Sequence, residues 1–154
     1  MLAELKAERE INRLQAYYGQ LCDRGYPPEE IAALFTDAGI WQSSPNGRRL
    51  QGSSAIASYF GGADELYPWA LHVNVPLGVE LSDDGLSARG SWYLLMPCVD
   101  NTTGHKTAAW LAGRYDNEYV REEGKWLFSS LHVSYGLMTQ HLTDWAANRF
   151  ALNT

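Results

Sequence analysis

Over residues 106–134, apolar and polar positions alternate on both sides of a single glycine turn, Glu122-Glu123-Gly124-Lys125. β-Branched and aromatic residues in that period-two pattern predict two long strands folded into a hairpin. Trp110, Ala112, Arg114 and Asp116 fall on one face, and Leu111, Gly113, Tyr115, Asn117 and Tyr119 on the other. Past the turn, Trp126 and Phe128 alternate with Leu127 and Ser129. Aromatics on both faces speak against a plain solvated edge. One face is expected to meet a helix, and the other to line a cavity or meet a second subunit.

Upstream the period changes. Ile11, Leu14, Tyr18, Leu21 and Cys22 recur at helical spacing within residues 3–24, and Gly25 before Pro27-Pro28 closes that helix. A second, short helix is predicted from residue 28 to about residue 36, carrying Ile31, Leu34 and Phe35. Residues 40–43 predict a short strand and Ser44-Pro45-Asn46-Gly47 a turn. Ser53 or Ser54 caps a third helix through Phe60, which Gly61-Gly62 stops. Residues 70–81 alternate again, Asp83-Asp84-Gly85 turns the chain, and residues 87–96 form a further strand before a loop at 100–105. Helices gathered early and long antiparallel strands late predict an α+β fold. Its form is a cone, a curved antiparallel sheet packed on about three N-terminal helices and enclosing a cavity. With no repeat or linker, residues 1–154 read as a single domain.

Composition narrows the function. The 154 residues are 45% hydrophobic and 19% charged, as in ordinary globular proteins. Six Trp and nine Tyr are many for this length, and fit either a core of large residues or an aromatic-lined cavity. A net charge of −6 without a basic cluster argues against nucleic acid. No apolar run approaches the ~18 residues of a membrane span, and the charged N-terminus lacks a signal-peptide core. Cys22 and Cys98 show no C-x-x-C spacing, which suits a reducing cytoplasm.

The chemistry is narrowed by what is missing. Neither G-x-G-x-x-G, G-K-[ST] nor G-x-S-x-G occurs, and His72, His105, His132 and His141 lack the short spacing of metal ligands. Acid–base work by carboxylate, histidine and phenol remains. Asp23 stands in the last turn of the first helix, at the unfavourable negative end of its dipole. By itself it reads as a solvated helix-end carboxylate. His72 shares a strand face with Ala70 and Asn74, and by itself reads as a hydrogen-bonded interior histidine.

Helix order, length and the hairpin segment G-R-Y-D-N-E-Y-V-R-E-E-G-K-W at residues 113–126 resemble the nuclear transport factor 2-like superfamily, in its polyketide-cyclase-like branch. Scytalone dehydratase, bile-acid 7α-dehydratase and the lindane dehydrochlorinase belong to that branch, and the resemblance covers nearly the whole chain. In those lyases an Asp at the end of the first helix orients a His on the strand after the third helix. Asp23 and His72 occupy these places. Tyr18, Trp41 and Tyr115 match positions that relatives give to the pocket. The resemblance thus implies His72 as base, Asp23 as its orienting partner and Tyr18 as an acid, with no metal and no organic cofactor. Large residues are expected to wall the cavity: Trp41, Tyr59, Trp92, Leu94, Leu111 and Tyr115, with Trp92/Leu94 and Leu111/Tyr115 each sharing a strand face.

The activity implied is a cofactor-independent lyase that eliminates water from a mostly apolar aromatic or polycyclic small molecule. The same base serves isomerisation, ring closure or a retro-aldol loss of formaldehyde. The fold also carries non-catalytic ligand-binding modules and the small subunit of ring-hydroxylating dioxygenases. His105, in a loop, and His132, on the last strand, are not matched to the second histidine of scytalone dehydratase. The exposed aromatic sheet face implies a homodimer or homotrimer.

Overall fold

The computed structural model describes residues 1–143 and 150–151, so the last part of the expected 1–154 domain lies outside the described residues. Helix α1 (Leu2–Asp23) buries Ala7, Ile11, Gln15, Tyr18, Gly19, Leu21 and Cys22, the stripe that a 3.6-residue repeat puts on one face. Its end is locked. Gly25, at φ 89°, sends its N–H to the Cys22 carbonyl at 3.4 Å, and the Tyr26 N–H reaches the Leu21 carbonyl at 3.1 Å. These are the two bonds of a Schellman closure.

Helix α2 (Pro28–Ala32) is shorter than expected. Phe35 and Thr36 open strand β1 (Phe35–Ser44) instead, because Phe35 pairs in register with Phe128. Strand β2 (Arg48–Gln51) returns antiparallel to β1. Helix α3 (Ser53–Phe60) follows, and beyond Gly61 the chain makes one more helical turn, α4 (Ala63–Leu66), which the two glycines had hidden. The alternation at 70–81 resolves into two pieces, β3 (Trp69–Ala70) and β4 (Val73–Leu81). The long arms are β5 (Ser87–Asp100), β6 (Thr107–Glu122) and β7 (Lys125–Gln140). Glu123 and Gly124 both have positive φ, 49° and 80°, the geometry that matches a tight hairpin to strand twist.

The sheet runs β2-β1-β7-β6-β5-β3, with β4 also paired to β5. Among the described strands all pairings are antiparallel but one: β1 runs parallel to β7. The sheet is therefore mixed, since no hairpin joins these two strands to set them antiparallel. Register shifts in β6–β7 between Glu118 and Tyr119 and between Ala112 and Gly113 bend the strands and curl the sheet. Its concave face joins Trp92, Tyr115, Phe128, Leu131 and Val133 to Ile11, Tyr18 and Leu21 of α1 and Ile56 and Phe60 of α3 in one core. On the convex side Leu71, Val73, Val75, Leu77, Tyr93 and Leu95 stay exposed. Among the described residues no helix is long and apolar enough to cross a membrane.

Candidate active site

Helix α1 meets the sheet at Gly19. A Cβ there would stand 2.8 Å from the Asn74 side-chain nitrogen and 3.5 Å from the His72 Cβ, so the helix lies hard against the segment carrying His72. One turn further on, Asp23 Oδ1 accepts two hydrogen bonds from His72: ring Nδ1 at 2.7 Å and backbone N at 2.8 Å. The gap between β3 and β4 lies beside this contact and has its own cause. Pro97, opposite Leu71, has no N–H to give, and the ladder keeps only the Leu71 N–H to Pro97 carbonyl bond at 3.1 Å. The His72 N–H, one residue on from Leu71, faces away from β5 and is satisfied by the carboxylate. With Nδ1–H donating to Asp23, the tautomer is fixed and Nε2 is left as the basic nitrogen. The pair is sheltered, with side-chain exposures of 6% for His72 and 23% for Asp23.

His72 lines a small cavity of about 30 Å³, room for about one or two waters. Six phenols surround it, those of Tyr18, Tyr26, Tyr59, Tyr67, Tyr115 and Tyr135, with Trp41, Phe60, Ala63, Met96 and Val133 filling the gaps. Tyr26 sits edge-on to the imidazole, ring centres 6.2 Å apart, and stacks on Phe60 at 6.0 Å. The Trp41 indole N–H donates to Tyr18 Oη at 3.0 Å. Burial, followed by the neighbouring Cys22 and Tyr115, pushes the Tyr18 phenol well above its ordinary 10.0, and the Trp41 bond only partly opposes this. Tyr115 and Tyr135 are raised in the same way, burial again first. At neutral pH these groups are phenols, able to donate a hydrogen bond to charge that develops on an oxygen.

The structure brings Tyr18, Trp41, Tyr59, His72 and Tyr115 together on this cavity, with Asp23 bonded to His72. It does not bring Trp92, Leu94 or Leu111 there. All three are buried on the concave side, but the cavity occupies only one end of that face, where Met96 supplies the β5 wall. Trp92 turns to α1 and donates to Asn12 Oδ1 at 3.0 Å. Tyr26, Tyr67 and Tyr135 were not foreseen. The first sits between a helix stop and two prolines, the second after the glycine pair, the third beyond the expected end of the hairpin. Exposed His105 and outward-facing His132, whose Nε2 is 2.9 Å from Ser44 Oγ, do not line the cavity. A wider space of about 210 Å³ adjoins it, sharing Trp41, Tyr59, Tyr67 and Tyr135 and bordered also by Ser43, Asn46, Arg48 and Thr102. Among the described residues no group of His, Cys, Asp and Glu side chains is arranged to hold a metal ion.

Residues 3–132 match the SnoaL-like domain family. No curated protein is matched by the sequence. Solved structures with the same fold include a candidate scytalone dehydratase from Novosphingobium aromaticivorans, 21% identical with a TM-score of 0.76, covering 88% of each chain. The hexachlorocyclohexane dehydrochlorinase LinA-type3 of Novosphingobium barchaimii is 19% identical with a TM-score of 0.79, over 93% of this chain and 95% of that one. ActVI-ORFA of Streptomyces coelicolor is 20% identical with a TM-score of 0.67, over 83% and 96%. At such identities the likeness is one of fold.

Proposed function

The chain belongs to the SnoaL-like domain family of the nuclear transport factor 2-like superfamily, and from that premise we propose that it is a cofactor-independent lyase. Its substrate is a mostly apolar aromatic or polycyclic small molecule, and the reaction is elimination of water. The observation that carries this reading is the double acceptance by Asp23 Oδ1 from His72, at 2.7 and 2.8 Å, beside a phenol-lined cavity. Two solved neighbours named as a dehydratase and a dehydrochlorinase agree with an eliminating chemistry.

In the proposed cycle His72 Nε2 removes a proton from carbon next to an electron-withdrawing group, and the C–H pair becomes the new double bond. Asp23 holds Nδ1–H and stabilises the imidazolium that forms. The C–O bond breaks, the leaving hydroxide takes the proton back from the imidazolium, and water is released. Tyr18, kept protonated by burial, donates a hydrogen bond to oxygen carrying developing charge. The space beside His72 is smaller than the roughly 300–1,000 Å³ of ordinary ligand pockets. In the proposed cycle a substrate ring enters from the wider space as side chains among Tyr59, Tyr67 and Tyr135, which line both spaces, turn aside.

The test is turnover of hydroaromatic β-hydroxy ketones, followed by the absorbance of the conjugated product. Wild type is expected to be active, and His72→Ala to be slower by about 10²–10⁴-fold with its melting temperature retained. Near-full turnover by His72→Ala would remove the dyad mechanism. Saturable binding without turnover in wild type would leave a non-catalytic ligand-binding module.

A further inference from the structure

Arg48 opens β2 and borders the outer, 210 Å³ space. Its guanidinium makes one side-chain hydrogen bond, Nη1 to Tyr59 Oη at 3.0 Å, and lies 4.7 Å from the centre of the Tyr59 ring. Arg24, Arg89 and Arg114 each have a carboxylate within 4.0 Å. Among the described residues Arg48 has none, and no Asp or Glu lines the outer space. The carboxylate of Asp100 accepts from the Thr102 N–H and hydroxyl, and at 2% exposure it lies beneath the wall. In a chain of net charge −6 the mouth of the cavity is thus locally positive. A guanidinium carries five N–H donors in a planar fork, and here one is engaged by a side chain.

A cation over an aromatic face is also a stable resting place for arginine. The surroundings point further. Asn46 Oδ1 accepts from Ser43 Oγ at 2.6 Å and from the Arg48 backbone N–H at 3.2 Å, which leaves the Asn46 amide hydrogens for a ligand. Trp41, Tyr59, Tyr67 and Tyr135 line both the outer and the inner space. A molecule whose apolar ring points toward His72 therefore places its other end at Arg48.

We propose that the site takes an amphiphilic molecule, an apolar ring system bearing a carboxylate, and that Arg48 binds this carboxylate at the mouth while the ring faces His72. The matching forks of guanidinium and carboxylate make a bidentate pair. The proposal rests on the reading of the inner space as the reacting end, and its test is kept apart from turnover. Binding of 2-naphthoate and of its uncharged analogue 2-naphthamide is measured by titration calorimetry on wild type, His72→Ala, Arg48→Met and Arg48→Lys.

Wild type and His72→Ala are expected to prefer the naphthoate by about five-fold or more, a preference that shrinks in high salt. Arg48→Met is expected to lose the preference while binding the amide as before, and Arg48→Lys to keep part of it. Equal binding of the two probes by wild type, no saturable binding of the naphthoate, or a preference that survives Arg48→Met would each overturn the proposal. A His72→Ala protein that keeps the preference and also keeps full turnover would overturn the dyad instead.

Discussion

At His72 a single oxygen, Asp23 Oδ1, satisfies both a ring nitrogen and a backbone N–H. Two substitutions separate its charge from its shape. Asp23→Asn keeps an oxygen that accepts both hydrogens and removes the negative charge that faces the imidazolium. Turnover is expected to fall about ten- to a hundred-fold, the worth of a hydrogen bond to a charged group, with the melting temperature nearly unchanged. Asp23→Ala leaves two donors without an acceptor beside a ring that is 6% exposed, at about 1–3 kcal/mol each. That variant is expected to melt several degrees lower as well. Rates and thermal melts of the pair check this. An Asp23→Asn enzyme as fast as wild type would show that the charge has no part in the chemistry.

Between elements, the tightest approach bearing on the cavity is at Gly113. A Cβ there would overlap the Ser134 carbonyl oxygen and come within 2.9 Å of the Tyr135 Cα. Both are backbone, so β7 itself must move. This is also where the β6–β7 register shifts and where Tyr135 joins the cavity wall. Gly113→Ala is expected to destabilise by about 1–3 kcal/mol, read as a lower melting temperature. Gly136→Ala, with nothing within 4 Å of the added atom, serves as the neutral control. Equal melting of the two variants would mean that β7 gives way freely there.

What the sequence made legible follows the same division. The hairpin, its faces and its turn were readable because period two and a glycine turn are local signals. Asp23 and His72 were readable as a pair only through the resemblance. The β3–β4 gap was not, because the proline that interrupts the ladder opposite Leu71 stands on another strand, β5. Leu34-Phe35 fits helix and strand alike, and pairing with β7 decided it. Trp92, Leu94 and Leu111 lie on the predicted face, but alternation says nothing about which end of a strand a cavity occupies.

In the whole molecule these elements close around a small cavity walled by phenols, and alkaline titration tests how firmly that interior holds its protons. Tyr18, Tyr26, Tyr59, Tyr67, Tyr115, Tyr119 and Tyr135 are all raised above 10.0, with burial the first cause in each. The unfolded chain ionises its phenols near 10, whereas the folded chain holds these protons. The stability they contribute is therefore fully present below about pH 10 and is lost as pH rises further, at about 1.4 kcal/mol per pH unit for each phenol. Several such groups in one core make the loss steep, and the net charge of −6 adds repulsion in the same direction. The phenolate absorbance of these tyrosines and the far-UV circular dichroism are expected to change together, in one cooperative step above about pH 10. If these buried phenols instead ionised one after another while the dichroism stayed native, water would already reach the cavity. The strengthened hydrogen bonds that the proposed elimination draws from a sheltered imidazole and phenol would then have no physical basis.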